Sequence, residues 1–486
     1  MSMTSESQVY FEQNATQWDA LRTGYFPEAV REAAIARAYL RPEMEVADVG
    51  GGTGFMSAGL APLVGRVHLV DGSAPMIDVA RRNLAGFANV TYHHSDGATL
   101  PFADGSLDAV FANMYLHHCS DPLVAVREMV RVLKPGGRLL ITDLDLHPYE
   151  WLREEMADVW QGFDREQLRA WYHEAGLVNV FVACTGEACC AESADATLTD
   201  TQDRKAQISV FVAVGTRSVT GTTEAVAAGY TERAEATGSC SCGAPQPFEI
   251  GYDALSLAAI PEETAALSLG CGNPIGQAKL QPGEAVLDLG SGGGIDALLA
   301  ARAVGPTGKV IGLDMTPAML AHAREAARKA GVSHVEFREG RIESMPIADA
   351  SIDVILSNCV INLADDKGRV FSEAARVLKP AGRLVVSDIV TGGPLPSVMR
   401  TDPEQWAGCV AGALPESEYL DLLAEAGFTS VQAERGEVRG EFEGVPVYSL
   451  YVKATRDAEG GSCGCSKPSV KENAVAPVPS RGCCGS

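Results

Sequence analysis

The sequence predicts an α/β protein of two doubly wound domains in tandem, each a mostly parallel seven-stranded sheet. Three observations lead there. The chain repeats itself once. Each copy alternates short apolar runs with helical patterns. Each copy also carries a glycine loop straight after its first apolar run.

The repeat is read segment by segment. VADVGGGTGF (46–55) matches VLDLGSGGGI (286–295), and RVHLVDGSAPMIDVAR (66–81) matches KVIGLDMTPAMLAHAR (309–324). LPFADGSLDAVFANMYLHH (100–118) matches MPIADASIDVILSNCVINL (345–363), and VRVLKPGGRLLITDL (130–144) matches ARVLKPAGRLVVSDI (375–389). A constant order with a slowly growing offset means one domain duplicated, with small loop insertions. A solenoid would need at least three copies of a period of about 20–50 residues.

In the first copy EVADVG, RVHLVD, SLDAVFAN and GRLLITDL read as strands; AVLDLG, KVIGLD, SIDVILSN and GRLVVSDI match them in the second. PMIDVARRNLAG and PAMLAHAREAARKAG have helical spacing. VAVREMVRVLKPGG and VFSEAARVLKPAG read as helices ending at a Lys-Pro-Gly/Ala-Gly stop. Such alternation implies parallel strands with helices on both faces. ISVFVAVG and VYSLYVKA are expected to close each sheet as antiparallel strands. The boundary falls in TRSVTGTTEAVAAGYTERAEATGS, placing the domains at 1–218 and 219–456. Residues 457–486, rich in Gly, Pro and Ser, are expected to be a disordered, cysteine-containing tail.

The net charge of −24 repels phosphate backbones and anionic lipid, which argues against nucleic acid and membrane surfaces as partners. No secretory signal and no apolar run of about 20 residues is seen, so a cytoplasmic protein is expected. Thirteen cysteines are then unusual, because clustered thiols in a reducing compartment more often bind soft metals or do redox chemistry than form structural disulfides.

The first strand of each copy ends in an acid and glycines: Asp48, Gly50, Gly52 and Gly54, then Asp288, Gly290, Gly292 and Gly294. Glycines let a turn tighten and let a ligand approach the backbone. A second acid, Asp71 or Asp314, ends strand two, near the spacing of about 20 residues expected for a ribose-binding carboxylate. Neither loop has the G-x-G-x-x-G spacing of a dinucleotide site. Loop, second acid, P-x-x-D and KPGG or KPAG, twice in one chain, together resemble the class I S-adenosylmethionine-dependent methyltransferases, with their Rossmann-like fold, over almost all of each copy. The resemblance implies that the loop passes the methionine end of the cofactor. It implies that Asp71 and Asp314 hold the ribose, that Met315 and Asn358 belong to the same site, and that Asp96, or Ile342 in the second copy, lies beside the adenine. Arg341 stands where the first copy has Asp96, so an acidic adenine contact does not carry over.

Around the expected active-site face the second copy differs from the first chiefly by cysteines. Asn113-Met114 aligns with Asn358-Cys359, and Cys240, Cys242, Cys271 and Cys409 have no counterpart in the first copy. Several thiols without histidine partners suggest a thiophilic ligand, and the C-x₂-C pairs of structural zinc are absent. LGCGNPIGQAKLQPGEAVLDLGSGGGIDALLAA, SNCVINLADDKGRVF and WAGCVAGAL make residues 230–456 resemble arsenite S-adenosylmethionine methyltransferases. That resemblance implies trivalent arsenic as a substrate held by Cys271, Cys359 and Cys409, with Cys240 or Cys242 in redox exchange. It also implies an external thiol reductant of thioredoxin or glutathione type. The expected function is methylation of arsenite and methylarsenite in arsenic detoxification. The alternatives are an arsenic- or metal-binding protein without turnover, and C- or O-methylation of a small molecule by the first domain. In that domain ITDLDLHPYEWLREEMADVWQGF resembles methyltransferases attached to arsenic-type repressors and, more loosely, quinone C-methyltransferases. His117-His118 and His93-His94 read as loop or core residues, since neighbours on a strand point to opposite faces. Cys189-Cys190 reads equally as loop thiols or an arsenic site.

Overall fold

The computed structural model describes residues 5–457 except 96, 98, 194–203, 236–251, 253–256, 258–259, 262–263, 265–269, 271, 403–405 and 407–408. The tail from residue 458 therefore lies outside the described residues, as do Asp96, Cys240, Cys242 and Cys271.

Two seven-stranded sheets are present. The first comprises β1 (Glu45–Val49), β2 (Arg66–Asp71), β3 (Val90–His94), β4 (Leu107–Asn113), β5 (Leu133–Leu144), β6 (Leu177–Glu192) and β7 (Lys205–Arg217). The second comprises β8 (Ala285–Leu289), β9 (Lys309–Asp314), β10 (Val335–Glu339), β11 (Ile352–Asn358), β12 (Leu378–Thr391), β13 (Phe428–Phe442) and β14 (Val445–Arg456). Their spatial orders are the same, β3-β2-β1-β4-β5-β7-β6 and β10-β9-β8-β11-β12-β14-β13. The first five strands of each run parallel, and the last two pair antiparallel, as expected for ISVFVAVG and VYSLYVKA. Strand order reverses between β1 and β4, and between β8 and β11, which opens a crevice at the carboxyl ends. The central strands are buried on both faces, so they read as continuous apolar runs.

Local sequence sets the helix starts. Ser73 Oγ accepts from Met76 N at 3.3 Å, and Asp121 Oδ1 from Val124 N at 3.2 Å, each with proline in the first turn. The expected Lys-Pro-Gly/Ala-Gly stops fall later than the true helix ends. The helices end at Val132 and Val377, and the four residues bulge out of β5 and β12, where the ladder jumps from Leu107–Leu133 to Ala109–Arg138 and from Ile352–Leu378 to Val354–Arg383. Pro135 and Pro380 lack an N–H and suit neither helix nor ladder. Lys134 and Lys379 tie each bulge to Asp108 and Asp353 at 2.8–2.9 Å.

The two domains are packed on each other. Helices Lys367–Val377 and Glu416–Glu425 of the second press against β6 of the first, and Phe181, Val212 and Val214 join one apolar cluster with Val370, Phe371 and Tyr419. Arg138 donates to both oxygens of Glu418 at 3.0 and 3.1 Å, with both residues buried. Asn179 on β6 caps the helix that starts at Lys367: its Oδ1 accepts from Lys367 N at 2.8 Å. Helix Thr222–Glu235 packs on helix Pro317–Ala330, where the His322 ring meets Ala234 O at 2.9 Å.

Glu418→Ala strands the Arg138 guanidinium in the interface and should cost about 3–5 kcal/mol, the range for breaking a buried pair. Urea unfolding measures it. The double change Arg138→Met with Glu418→Leu should recover most of the loss.

Candidate functional site

In the second domain the crevice is a cavity over the carboxyl ends of the strands. Of the expected residues, Asp288, Gly290, Gly292, Asp314, Met315, Ile342, Asn358 and Cys359 line it. Gly294 does not: it caps helix Ile295–Val304 at φ +92°, and a Cβ there would press on Phe337 and Ala323. Gly54 packs likewise against Leu84, while Asp48, Gly50, Gly52 and Asp71 line the matching cavity of the first domain.

The loop is tight for steric reasons. Gly290 has φ +62°, and a Cβ would lie 2.3 Å from Val360; at Gly50, φ +69°, the obstacle is Tyr115 at 2.3 Å. The strand-two acids brace the loops. Asp314 accepts from Gly292 N at 2.9 Å and Thr316 N at 2.8 Å, and Asp71 from Gly52 N at 2.7 Å and Ser73 N at 2.8 Å. Burial raises both carboxyls above their ordinary range, against these hydrogen bonds.

The strand-one acids differ between the copies. Asp48 accepts from Ser57 N at 2.9 Å and Ser57 Oγ at 2.6 Å, yet burial pushes it up to about 6. Asp288 has Ala297 at the serine's position, and among the described residues its buried Oδ2 has no hydrogen-bond partner. Burial, then the neighbouring Asp296, drives it well above the carboxylate range. Asp296, pushed up to about 6 by burial, accepts from Tyr252 OH at 2.7 Å, and Asn358 Nδ2 donates to Tyr252 OH at 3.0 Å. Two buried carboxyls beside glycine N–H groups, a second acid, and apolar Met315 and Ile342 fit an ammonium, a ribose and a planar base along one cavity.

At the tip of β11, Cys359 is buried, left-handed at φ +58°, and its N–H donates to Ser387 O at 2.8 Å. Met114 takes the same conformation at φ +50°, donating to Thr142 O at 2.8 Å. Cys359 is held in a disulfide whose partner lies outside the described residues. Cys409 does not line the cavity but shares an apolar cluster with Cys359, Tyr230 and Met315. Its Sγ donates to Cys359 O at 3.3 Å. Burial, then Asp388, pushes that thiol up to about 12, while Tyr230, Arg233 and Lys367 pull the other way. Gly270 and Gly272, which flank Cys271 in sequence, sit against Asn358: Gly272 O accepts from Asn358 Nδ2 at 2.8 Å, and a Cβ on Gly270 would lie 2.3 Å from that side chain.

The first domain has a second, aromatic cavity beside its glycine loop, with Phe11, Trp18, Phe26, Met114 and His118 in both linings. His117 and His118 are not on a strand. They lie on a 3-10 turn, Leu116–His118, so both rings turn inward, 4.0 Å apart. His117 Nδ1 is 2.5 Å from Asp143. Burial alone would lower His117, but Asp143 and Asp158 outweigh it and hold the ring up at about 9. Burial raises Asp158 to about 6, and burial with the His117 charge drops His118 far below the histidine range. Asp143, Asp158 and Tyr252 are absent from the expected site, because only the fold joins them to it; Asp296 is absent too, although it stands directly after the glycine loop, two residues beyond Gly294. Cys189 lines the aromatic cavity, its thiol pushed up by burial to about 12; Cys190 is exposed.

Families described as a methyltransferase domain match residues 47–141 and 280–427. The chain carries two methyltransferase domains. It is 49% identical over 193 residues to the arsenite methyltransferase of Halobacterium salinarum, covering 40% of this chain and 49% of the relative. It is 41% identical over 152 residues to the arsenite methyltransferase of Homo sapiens, covering 29% and 40%. Thus the chain spans about half the length of the curated relatives it matches. A solved arsenic(III) S-adenosylmethionine methyltransferase of Chlamydomonas reinhardtii is 38% identical, covering 42% of this chain and 73% of that one, at a TM-score of 0.39.

Gly290 and Gly292, two of the glycines that line the cavity of the second domain, should respond differently to alanine. At Gly292, φ +48°, nothing lies within 4 Å of a Cβ, so Gly292→Ala should fold at a cost of about 1–2 kcal/mol for the left-handed backbone. Its methyl enters the cavity and should weaken S-adenosylmethionine binding about 10-fold or more by calorimetry, some 1.4 kcal/mol. Gly290→Ala, which collides with Val360, should lower the melting temperature much further.

Proposed function

We propose that the second domain methylates trivalent arsenic, arsenite and methylarsenite, with S-adenosylmethionine as donor, in arsenic detoxification. The observation that carries this reading is Cys359, at the tip of β11 on the wall of the glycine-loop cavity, with the Cys409 thiol on its carbonyl. The relatives named arsenite methyltransferases support it.

When bound, S-adenosylmethionine supplies an electrophilic methyl on a sulfonium. Asp288 and Asp296 would receive its ammonium, Gly290 and Gly292 leave room for its backbone approach, and Asp314 keeps lone pairs for the ribose. Arsenite is neutral, so the net charge of −24 does not exclude it. Each thiol condenses with an As–OH group: an As–S bond forms, an As–O bond breaks, and the thiol proton leaves with the hydroxide as water. A raised thiol pKa is therefore compatible with binding. Three thiolates, from Cys271, Cys359 and Cys409 in this reading, leave arsenic its lone pair as nucleophile. No general base is needed, and the protein contributes proximity and alignment. Methylation raises arsenic formally to the pentavalent state. Two protein thiolates return two electrons and become a disulfide, with Cys240 or Cys242 in that exchange. An external dithiol reopens it.

Cys359 sits in a disulfide, so a reductant must act before the first turnover. Full-length protein with arsenite and S-adenosylmethionine should produce methylated arsenicals, resolved by chromatography with arsenic detection, only after thioredoxin or glutathione is added. Cys359→Ser and Cys409→Ser should each lose about 100-fold in kcat/KM, some 2.7 kcal/mol of transition-state stabilisation, while still binding S-adenosylmethionine. A fully active Cys409→Ser protein would remove that residue from the arsenic site. Tight arsenite binding without product would favour sequestration instead.

A further inference from the structure

We propose that His117, His118 and Asp158 form a divalent-metal site in the aromatic cavity of the first domain, a centre separate from the arsenic chemistry of the second. One donor atom from each residue lies within 4.8 Å of the other two, and all three residues are buried. Two imidazoles and one carboxylate with an open side are the donor set of catalytic zinc and of non-haem ferrous sites.

The surroundings are those of a ligand shell. A metal-binding histidine normally gives its other ring N–H to a carboxylate or a backbone carbonyl, which fixes tautomer and ring orientation. Here His117 Nδ1 meets Asp143 at 2.5 Å, leaving the Nε2 lone pair on the side of Asp158, while His118 Nδ1, the His118 nitrogen nearer Asp158, is shared with Ala157 O at 3.2 Å. Asp143 is anchored in turn by Leu116 N at 2.9 Å and Leu144 N at 2.8 Å.

Asp158 is the decisive group. Its side chain is 4% exposed, and among the described residues no donor hydrogen-bonds to it. Its nearest histidine nitrogens are His117 Nε2 at 3.7 Å and His118 Nδ1 at 3.9 Å, too long for hydrogen bonds. A buried carboxylate that pairs with the His117 ring at 3.7 Å without a hydrogen bond leaves room among the three donors for a metal cation in place of the ring's proton. The segment that carries it is fixed in place. Ala157 is left-handed at φ +56° and its carbonyl accepts from Ser7 Oγ at 2.8 Å, while Val159 N and Trp160 N both donate to His117 O at 3.0 Å.

The place of the cluster defines what it serves. His118 also lines the glycine-loop cavity, so an ion here lies where the methyl acceptor of this domain would sit. The remaining walls are mostly apolar, including Phe26, Leu144, Leu152 and Ile208, with Tyr10, Tyr25 and the Cys189 thiol among them. An acceptor with an apolar body and one hydroxyl fits: the body fills the aromatic cavity and the oxygen takes the open coordination position.

The test uses untagged full-length protein, its accessible thiols blocked with N-ethylmaleimide, stripped with a chelator and titrated with Co²⁺. One equivalent should bind with visible d–d bands. Asp158→Asn and His118→Gln should each weaken binding about 100-fold or more, beyond the 10–100-fold typical of losing an outer-shell partner. Cobalt-edge X-ray absorption of the unsubstituted protein decides the matter if a variant fails to fold. A nitrogen/oxygen shell with imidazole scattering supports the site; a sulfur shell overturns it. No saturable binding, or equal binding by both folded variants, also overturns it.

Discussion

Both cavities depend on one hydrogen-bond pattern: the acid that ends strand two holds the middle glycine of the loop that ends strand one. Asp71 does this for Gly52 and Asp314 for Gly292, within a few tenths of an ångström of the same geometry. The loops need it. Three glycines in each are at positive φ, a region glycine enters freely and therefore holds weakly. A carboxylate that also takes the N–H of Ser73 or Thr316 joins the loop to the start of the next helix. The parallel sheet places β2 beside β1, and β9 beside β8, so strand ends separated in sequence meet at the same crevice.

On that shared frame the copies diverged at many positions, and at the cavities the divergence is chemical. Where the first domain satisfies Asp48 with the Ser57 hydroxyl, the second leaves Asp288 Oδ2 without a partner among the described residues and places Asp296 beside it. His117 of the first corresponds to Asn362 of the second, whose Nδ2 donates to Ile389 O at 2.6 Å while its backbone N–H meets Asp388. Met114 corresponds to Cys359, and both take the same left-handed backbone. The strand tip is thus a fixed socket in which a thioether or a sulfur redox centre can stand.

The strands, the duplication and the loop acids were legible because parallel central strands are written as continuous apolar runs and glycine loops are local. The bulges after Val132 and Val377 were misplaced because a proline ends a helix without saying where the next strand begins. His117 and His118 read as loop or core residues rather than as a pair; the 3-10 turn brings them together, and Asp143 and Asp158 reach them only through the fold. Cys359 was legible by comparison with Met114. Its oxidised state was not, since a disulfide depends on which sulfurs meet.

The interface between the domains was also invisible in sequence, yet it bears on the second site. Asn179 of β6 accepts the N–H of Lys367, and Asp366 beside it accepts from Arg369 N at 3.0 Å. These contacts fix the start of helix Lys367–Val377 from both sides. The chain between Cys359 and that helix is short and tightly turned: Leu363 N donates to Val360 O, and Ala364 N to Ile361 O. Lys367 closes it further, donating Nζ to Ala364 O at 2.8 Å, fully buried, with burial lowering it to about 8. A side chain of the first domain therefore holds one end of a stiff segment whose other end is Cys359. Two independently folded transferases would have no reason to couple these points. In this chain the first domain, besides holding its own cavity, is part of the scaffold that aims a sulfur of the second.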